Sequence, residues 1–237
     1  MPPLTAADAA AFEACIAGGG VAVFPADTVY GLACDPENER AVARLYELKG
    51  RPPDKPAAVM WFARARALAA LPELGPRTRA AFERLTPGGV TLLVPNSRRR
   101  FPLAGGSAGE GGGVDACAGG AAGPAGASAP ATEPAPTLGV RVPKLTGDAE
   151  ALHTIPLAVL QSSANHAGGA DARTLGEVPE DIRARADLVL DAGALPGTPS
   201  TVIDLRDYER DGAFAIVRQG ALSARAVARA LGIVGEP

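Results

Sequence analysis

The chain has 237 residues, of which 47% are hydrophobic and 21% are charged, and its formal net charge is −3. This length is sufficient for one well-buried core, and the composition excludes wholesale disorder. The negative balance argues against a protein that coats nucleic acid, although a local basic groove stays compatible with it.

The beginning of the chain and its cysteines point to a cytoplasmic protein. The first cationic side chain is Arg40, whereas secretory signals and transit peptides need earlier positive charges. No apolar run approaches the roughly 20 residues of a membrane span. The cysteines number three and are widely spaced, so they match neither a zinc-ligand pattern nor a disulfide framework, as expected in a reducing compartment.

The first hundred residues alternate between predicted helices and short buried strands. Thr5 and Asp8 resemble a helix-capping arrangement, and the helix that they begin should end at the glycines of 18–20. Apolar residues at the helical period predict a second helix over 39–49. The other predicted elements here are strands at 21–24, 57–62 and 90–94 and a helix at 77–85.

Residues 104–137 break this pattern. Ala, Gly and Pro dominate the segment, aromatic residues are absent, and its charges are limited to Glu110, Asp115 and Glu133. Such a composition offers too little apolar surface to offset the entropy of ordering. We therefore predict a flexible surface insertion inside one domain that spans 1–237, because strand-like sequence resumes at once at 138–142.

The last third of the chain again mixes helices and strands. It predicts helices at 148–152, 179–186 and 223–231, with Ser223 as the cap of the last, and strands at 157–161, 188–190, 201–204 and 214–218. The intermingling of the two element types throughout predicts an α/β or α+β fold with a mixed sheet.

Residues 25–32 form the first candidate binding segment, because they follow a predicted strand at the position where open α/β sheets bind ligands. Thr28 and Tyr30 offer hydroxyls, and Gly31 lets the backbone approach a ligand closely. Taken alone, the segment slightly favours the alternative, a turn in which Thr28 bonds the local backbone and Tyr30 packs.

Residues 49–56 are the stronger candidate. Only three of the 23 cationic residues are lysines, yet Lys49 and Lys55 both lie here, beside Arg51. The helix dipole alone would favour a cation at Lys49. However, three prolines stiffen the loop, and a mixture of ammonium point charges and a planar guanidinium suits a polyphosphate together with a carboxylate.

Weaker signals follow at later strand ends. Ser163 and Asn165 could hydrogen-bond phosphate or ribose oxygens, although Asn165 could instead make an Asx turn. Ser200 and Arg218, in the segments 200–204 and 218–220, are weak when considered individually.

Taken together and in order, these segments resemble the YrdC-like family of threonylcarbamoyl-AMP synthases over residues 19–220, apart from the insertion. The resemblance implies a twisted mixed open sheet with flanking helices around a large concave cavity. It implies synthesis of L-threonylcarbamoyl-adenylate from L-threonine, bicarbonate and ATP, with release of pyrophosphate, for the modification of adenosine 37 in tRNA. It also implies that a chain of this length lacks the additional C-terminal domain of some longer members.

The same resemblance implies roles for individual residues. Threonine would be held by Thr28, Tyr30 and Arg141, and the catalytic cations would be Lys49 and Arg51. The implied nucleotide-binding residues are Lys49, Arg51, Lys55, Ser163, Asn165, Ser200 and Arg218. Mg²⁺ is expected with the nucleotide but without a dedicated metal site. The expected partners are proteins that transfer the threonylcarbamoyl group to tRNA, with at most a weak RNA contact.

The chain departs from the family pattern at three positions, and two other functions stay open. Ala26, Gly89 and Lys144 stand where members often have threonine, proline and histidine. One alternative is a carbamoyltransferase that forms carbamoyl-adenylate, although such enzymes are usually much longer chains. The other is a non-enzymatic paralogue that binds double-stranded RNA, which the negative net charge makes less attractive.

Overall fold

A computed structural model describes residues 3–52, 55–105 and 136–233 of the chain. Nine strands of this part form one sheet: β1 Ala22–Pro25, β2 Tyr30–Cys34, β3 Ala58–Trp61, β4 Val90–Pro95, β5 Thr137–Arg141, β6 Ala158–Ser163, β7 Leu188–Val189, β8 Thr201–Asp204 and β9 Ala215–Arg218. Their order across the sheet is β7-β1-β2-β6-β3-β5-β4-β8-β9. The pairs β1–β7, β3–β5 and β4–β8 are parallel and the others antiparallel, so the sheet is mixed, as predicted.

The helices pack on both faces of this sheet. They are α1 Ala6–Ala17, α2 Glu39–Lys49, α3 Arg64–Ala70, α4 Pro76–Leu85, α5 Glu180–Arg185, α6 Tyr208–Asp211 and α7 Ala224–Ala230, with 3₁₀ helices at Gly147–Thr154 and Leu175–Glu177. Of the elements described, the sequence did not predict β2, α3, α6 and Leu175–Glu177. β2 begins inside the segment 25–32, which the sequence left open to interpretation as a turn, and the other three are short.

Local sequence signals explain where the best-predicted helices begin and end. Thr5 and Asp8 form the complete capping box that begins α1. Asn38 accepts hydrogen bonds from two backbone N–H groups at the start of α2. Gly50 ends α2 in the left-handed conformation, with φ of 61°. Lys49, the last residue of α2, is therefore held by a defined helix end.

The two faces of the sheet carry two separate cores. The larger core packs one face against α2, α4, α5 and α7. The smaller core packs the other face against α1 and the Gly147–Thr154 helix. Its strand residues come from β1, β2, β3 and β6, whereas the buried apolar residues of β4 and β5 belong to the larger core. The smaller core thus covers only part of its face.

The insertion predicted over 104–137 lies mainly outside the described residues, but both of its ends are described. Ala104 is buried in the larger core, and its carbonyl accepts a hydrogen bond from the backbone N–H of Ala57 (3.1 Å). Thr137 begins β5 and pairs with Pro95 at the end of β4. Ala104 and Thr137 therefore pack with the fold, and residues 106–135 of the predicted insertion lie outside the described residues.

Candidate active site

Polar residues occupy the face of the sheet that the smaller core leaves uncovered. In β5, Leu138 and Val140 point into the larger core, so Arg141 lies on the opposite face. Arg141 stands directly beside Met60, a residue of the smaller core, in the pairing of β3 with β5. Gln161 of β6 is buried on the same face. Arg141 and Gln161 therefore form a buried polar patch beside the apolar residues of the smaller core. We call this patch the polar floor.

An ion pair between Asp27 and Arg141 forms the centre of this floor. The Arg141 Nη2 donates to Asp27 Oδ1 at 2.8 Å, and both side chains are only 4% exposed. The second Asp27 oxygen accepts from the backbone N–H of Lys144 at 3.1 Å. On the other side of the guanidinium, Nη1 donates to Gln161 Oε1 at 3.0 Å. The carboxylate and the amide together fix the plane of the guanidinium.

The electrostatic balance at Arg141 is set by burial and by its neighbours. Burial lowers the pKa of Arg141, because desolvation disfavours the charged form, and the nearby Asp27 carboxylate opposes that shift. Arg218 lowers the same pKa and Asp171 raises it, which places both within electrostatic reach of the guanidinium. Since an arginine stays charged at neutral pH, the floor holds a permanent cation.

Gly31 provides the space that Gln161 needs. A Cβ atom on Gly31 would lie 3.0 Å from Gln161 Nε2 and 2.9 Å from the ring of Phe24. Any larger residue would displace the amide that supports Arg141. The sequence had assigned Gly31 to close approach by a ligand, whereas the structure shows close approach by the protein's own side chain.

Thr28 and Tyr30 face different surroundings. The Thr28 hydroxyl is buried 3.4 Å from Arg141 Nη2, so it belongs to the polar floor. The Tyr30 hydroxyl is fully buried and lies 2.7 Å from Asp191 Oδ1 and 2.8 Å from the Gly193 carbonyl. It also accepts from the Ala192 N–H. Burial raises the pKa of Tyr30, and its hydrogen bond to Asp191 adds to the shift.

Tyr30 therefore connects the sheet to the segment 191–199. That segment also reaches the turn before β2, because the Gly197 N–H donates to the Thr28 carbonyl at 2.8 Å. The direct contact of Tyr30 with threonine stays a prediction. The structure gives its hydroxyl protein partners that hold a loop against Thr28.

Lys49 meets Ser163 and Asn165, as the sequence predicted for one site. Its ammonium, on a residue only 3% exposed, lies 2.8 Å from the Ser163 carbonyl and 3.0 Å from the Asn165 carbonyl. The side-chain oxygens of the same two residues lie at 3.2 and 2.5 Å. Asn165 also accepts from the Ser163 hydroxyl at 2.7 Å. These contacts place a buried cation at the end of β6.

Arg51 takes a different direction from Lys49. Its Nη2 donates to the Pro56 carbonyl at 2.7 Å, so the guanidinium turns back on its own loop. Arg51 also lines a cavity of about 510 Å³ between α2 and the Pro102–Gly105 segment, which lies apart from the Lys49 contacts. The loop is further held by Tyr46, whose hydroxyl donates to the Lys55 carbonyl at 2.8 Å. The two cations of the Lys-Gly-Arg motif thus have separate environments.

Ser200 and Arg218 come together at the other end of the sheet. Arg218 Nη2 donates to the Ser200 carbonyl at 2.9 Å, and the Ser200 hydroxyl lies 2.8 Å from that of Thr91. Gly220 permits this arrangement, because a Cβ atom there would lie 2.2 Å from the Pro199 carbonyl oxygen. Like-charge repulsion from Arg218 also contributes to the lowered pKa of Arg141.

Sequence reasoning missed Asp27, Gln161, Thr91 and Asp191. Asp27 lies inside the segment 25–32, and its position as the one charged residue of that segment was the available signal. Gln161 and Thr91 carry a weaker signal, since each is a polar residue within an apolar strand pattern. Asp191 carries none, because its role depends on a partner 161 residues away.

No group of three His, Cys, Asp or Glu side chains in the described part of the chain could hold a metal ion. No helix in the same part has the length and apolar character needed to cross a membrane.

Comparison with known proteins places the chain among named relatives. A family profile for Sua5, YciO and YrdC proteins, described as "Telomere recombination", matches residues 14–112 and 124–220. A protein of Thiobacillus denitrificans named threonylcarbamoyl-AMP synthase is 31% identical over 188 residues, covering 79% of this chain and 85% of that protein. A Pyrococcus abyssi protein of the same name is 25% identical over 215 residues, covering 90% of this chain and 54% of that protein.

Solved structures agree on the fold. P. abyssi Sua5 complexed with L-threonine has a TM-score of 0.72 at 23% identity, over 98% of this chain and 59% of that chain. E. coli YciO has a TM-score of 0.67 at 20% identity, over 95% of both chains. The chain thus spans little more than half the length of the P. abyssi relatives that it matches.

Proposed function

The chain belongs to the Sua5/YciO/YrdC family, and from this we propose that it is an enzyme that synthesises L-threonylcarbamoyl-adenylate from L-threonine, bicarbonate and ATP. The observation that carries the proposal is the T. denitrificans relative, which bears the name of this activity and is matched over 85% of its length. The product would serve the threonylcarbamoyl modification of adenosine 37 in tRNA.

The proposed reaction consists of two bond-forming steps and needs no side-chain nucleophile. The amine of threonine forms an N–C bond with bicarbonate and water leaves, which gives a carbamate. A carbamate oxygen then attacks the α-phosphorus of ATP, and the bond from that phosphorus to the pyrophosphate oxygen breaks. The enzyme is therefore a nucleotidyltransferase, and its task is to orient the reactants and offset phosphate charge.

Lys49 is the residue we assign to the phosphates and the carbamate. Its position among oxygens of Ser163 and Asn165 supports the assignment, because the ammonium is fixed before a substrate arrives. Binding a phosphate there requires the ammonium to exchange some of these oxygens for phosphate oxygens. We assign Arg51 and Lys55 to the same anion, and Arg51 must first release the Pro56 carbonyl.

Threonine is assigned to the polar floor. The Arg141 guanidinium would bind its carboxylate and the Thr28 hydroxyl would lie beside it, which the 3.4 Å separation of these two groups supports. Tyr30 belongs to the same subsite through the segment 191–199, which it holds against Thr28. The nucleotide would extend towards Ser163, Asn165, Ser200 and Arg218.

Magnesium is proposed to arrive with ATP. Mg²⁺ keeps several waters and is usually bound through substrate phosphates with one or two carboxylates, so it does not need a dedicated protein site. The proposed compartment is the cytoplasm, in agreement with the free thiols of Cys15 and Cys34. The proposed partners are the proteins that transfer the threonylcarbamoyl group to tRNA.

The test is pyrophosphate release by the purified chain. Release is expected only when ATP, bicarbonate and L-threonine are all present. Release with carbamoyl phosphate in place of bicarbonate and threonine would instead support a carbamoyl-adenylate enzyme. An absence of release under every condition, together with RNA binding that weakens steeply with salt, would replace the proposal with an RNA-binding function.

A further inference from the structure

The hydroxyl of Thr201 joins β8 to the loop that follows β9. Thr201 is the first residue of β8 and is completely buried. Its Oγ1 donates to the Leu222 carbonyl at 2.7 Å and accepts from the backbone N–H groups of Gly220 (3.0 Å) and Leu222 (2.9 Å). A hydroxyl offers one donor and two acceptor positions. The loop 219–222 therefore uses the full hydrogen-bonding capacity of this side chain.

The same loop takes its remaining backbone bond from the residues just before β8. The Ala221 N–H donates to the Pro199 carbonyl at 2.8 Å. Three consecutive N–H groups of the loop are thus bonded to Pro199 and Thr201, and two of the three are bonded to one hydroxyl oxygen. A partly buried N–H that loses its partner costs free energy, so these bonds fix the path of the loop.

Arg218 stands where this loop leaves β9. Its side chain is exposed, so its rotamer freedom must be restricted if it is to bind a ligand in one position. Nη2 lies 2.9 Å from the Ser200 carbonyl and 3.3 Å from the Ser200 hydroxyl. These contacts need the end of β9 in a fixed position beside Ser200.

The strand pairing alone is a weak support for that position. Val202 pairs with Arg218 but Ile203 pairs with Ile216, so the register of β8 and β9 shifts directly beside Arg218. Such a shift interrupts the regular ladder of backbone hydrogen bonds. The bonds from Thr201 act on the other side of Arg218, beyond the shift, and therefore hold the end of β9 where the ladder does not.

We propose that Thr201 is a positioning residue for Arg218, because its hydroxyl holds the loop 219–222 and thereby fixes the guanidinium beside Ser200. Thr201 does not itself bind the nucleotide, since its hydroxyl is buried and all its hydrogen-bonding positions are used. The inference rests on the proposed function for the identity of the ligand as a nucleotide. It rests on the hydrogen bonds alone for the positioning of the loop.

Thr201→Val tests the hydroxyl, because valine keeps the branched shape and removes the three hydrogen bonds. The KM for ATP in pyrophosphate release is expected to rise about tenfold, the cost of one poorly placed charged hydrogen bond. The kcat should change by less than about threefold, as for the loss of uniform binding. Thr201→Ser keeps the hydroxyl and should restore the KM. An unchanged KM in Thr201→Val would overturn the proposal.

A double variant tests whether Thr201 acts through Arg218. Arg218→Ala removes the guanidinium, so adding Thr201→Val to it should raise the KM for ATP by less than about twofold further, because coupled residues are not additive. A full further rise of about tenfold would show that Thr201 acts on the nucleotide independently of Arg218. That result would also overturn the positioning role.

Hydrogen exchange measures the positioning of the loop without relying on activity. The backbone amides of Gly220 and Leu222 should exchange at least about tenfold faster in Thr201→Val than in the unaltered chain, and should stay protected in Thr201→Ser. Thr78→Val is the matched control, since it makes the same substitution at another buried threonine, on α4. It should change neither these amides nor the KM for ATP.

The synthase function and the positioning role fail in different ways. If the unaltered chain releases no pyrophosphate, the synthase function falls, and hydrogen exchange alone decides whether Thr201 holds the loop. If pyrophosphate is released but Thr201→Val loses loop protection without any change in KM, the synthase function stands and the positioning role falls.

A second variant displaces the loop if Thr201→Val does not fold, as circular dichroism would show. A Cβ atom on Gly220 would lie 2.2 Å from the Pro199 carbonyl oxygen, so Gly220→Ala pushes the loop away from β8 without altering Thr201. It should raise the KM for ATP and expose the Leu222 amide to exchange. If both stay unchanged, the proposal is wrong.

Discussion

Two parts of the same sheet face are built on opposite principles. Where α1 covers it, Phe12, Phe24 and Phe62 pack ring against ring with centroids 5.3–6.2 Å apart. Further across the same face, on β5 and β6, Arg141 and Gln161 are also buried and are held by hydrogen bonds. The apolar part needs only volume and shape, whereas the polar part needs a partner for each buried group. The polar part should therefore be much less tolerant of substitution.

Adjacent positions give the largest expected contrast. Arg141→Met leaves the Asp27 carboxylate buried without its cation and should lower the free energy of unfolding by about 3–5 kcal/mol. Met60→Leu, at the paired position of the neighbouring strand, should lower it by less than about 1.5 kcal/mol. Urea denaturation of both variants measures the difference.

A double variant separates stability from function in the same region. Asp27→Leu combined with Arg141→Met removes both charges, so most of the lost stability should return. Activity should not return with it, because the guanidinium assigned to the threonine carboxylate is gone. Similar losses of unfolding free energy for Arg141→Met and Met60→Leu would show that the polar and apolar parts of the face tolerate substitution equally.

The cluster of Lys49, Ser163 and Asn165 allows a similar comparison for catalytic activity. Lys49→Ala should reduce pyrophosphate release by about 10²–10³-fold, the loss typical of removing one preorganised charge-stabilising group. Arg40→Ala, an exposed cation at the other end of α2, is the matched control and should keep full activity. Near-normal turnover of the Lys49 variant would contradict the assignment to phosphate.

Removal of the Tyr30 hydroxyl should lower the free energy of unfolding by an intermediate amount. Tyr30→Phe removes the hydroxyl that bonds Asp191, Ala192 and Gly193, and should cost about 1–3 kcal/mol of unfolding free energy. Because the pKa of Tyr30 is raised by folding, the unaltered chain should lose stability above about pH 10. Tyr30→Phe should lose less stability over this pH range, because it has no hydroxyl to ionise there. A raised KM for threonine without any loss of stability would instead favour direct substrate contact.

Breaking an exposed ion pair should lower the free energy of unfolding the least. Arg44 and Asp187 pair with side chains 39% and 40% exposed, so Arg44→Ala should cost only about 0.2–1 kcal/mol. The backbone N–H of Val21 and the Arg44 side chain lower the pKa of Asp187. Its stabilising contribution is therefore full at neutral pH and is lost as the pH falls below about 4. Thermal unfolding at pH 7 and pH 3 measures both effects.

The sequence predicted best what depends on neighbouring residues. The bounds of α2 follow from its apolar period, the Asn38 cap and Gly50, and its prediction over 39–49 is confirmed. The scarcity of lysine pointed to Lys49, and the structure brings it to Ser163 and Asn165. The mixed sheet with flanking helices is also confirmed, while the concave cavity stays a prediction.

Pairings between distant residues could not be predicted. Asp27 and Arg141 are 114 residues apart, and Tyr30 and Asp191 are 161 apart. No local propensity reports on such contacts, since they exist only after the strands take their places in the sheet. The sequence consequently marked segments that lie together in the fold, but not the ion pair between Asp27 and Arg141.

The pairing of β4 with β5 has a consequence for the insertion of additional sequence between these two strands. The two strands stay in register up to Pro95 and Thr137, and the Asn96 N–H donates to the Pro136 carbonyl at 2.7 Å. The pairing of the two strands therefore extends to the positions where the connection between them begins and ends. Each doubling of a connection's length adds only about 0.6 kcal/mol of closure entropy. This hairpin is thus a natural acceptor position for grafted sequence, such as an affinity tag or a reporter domain.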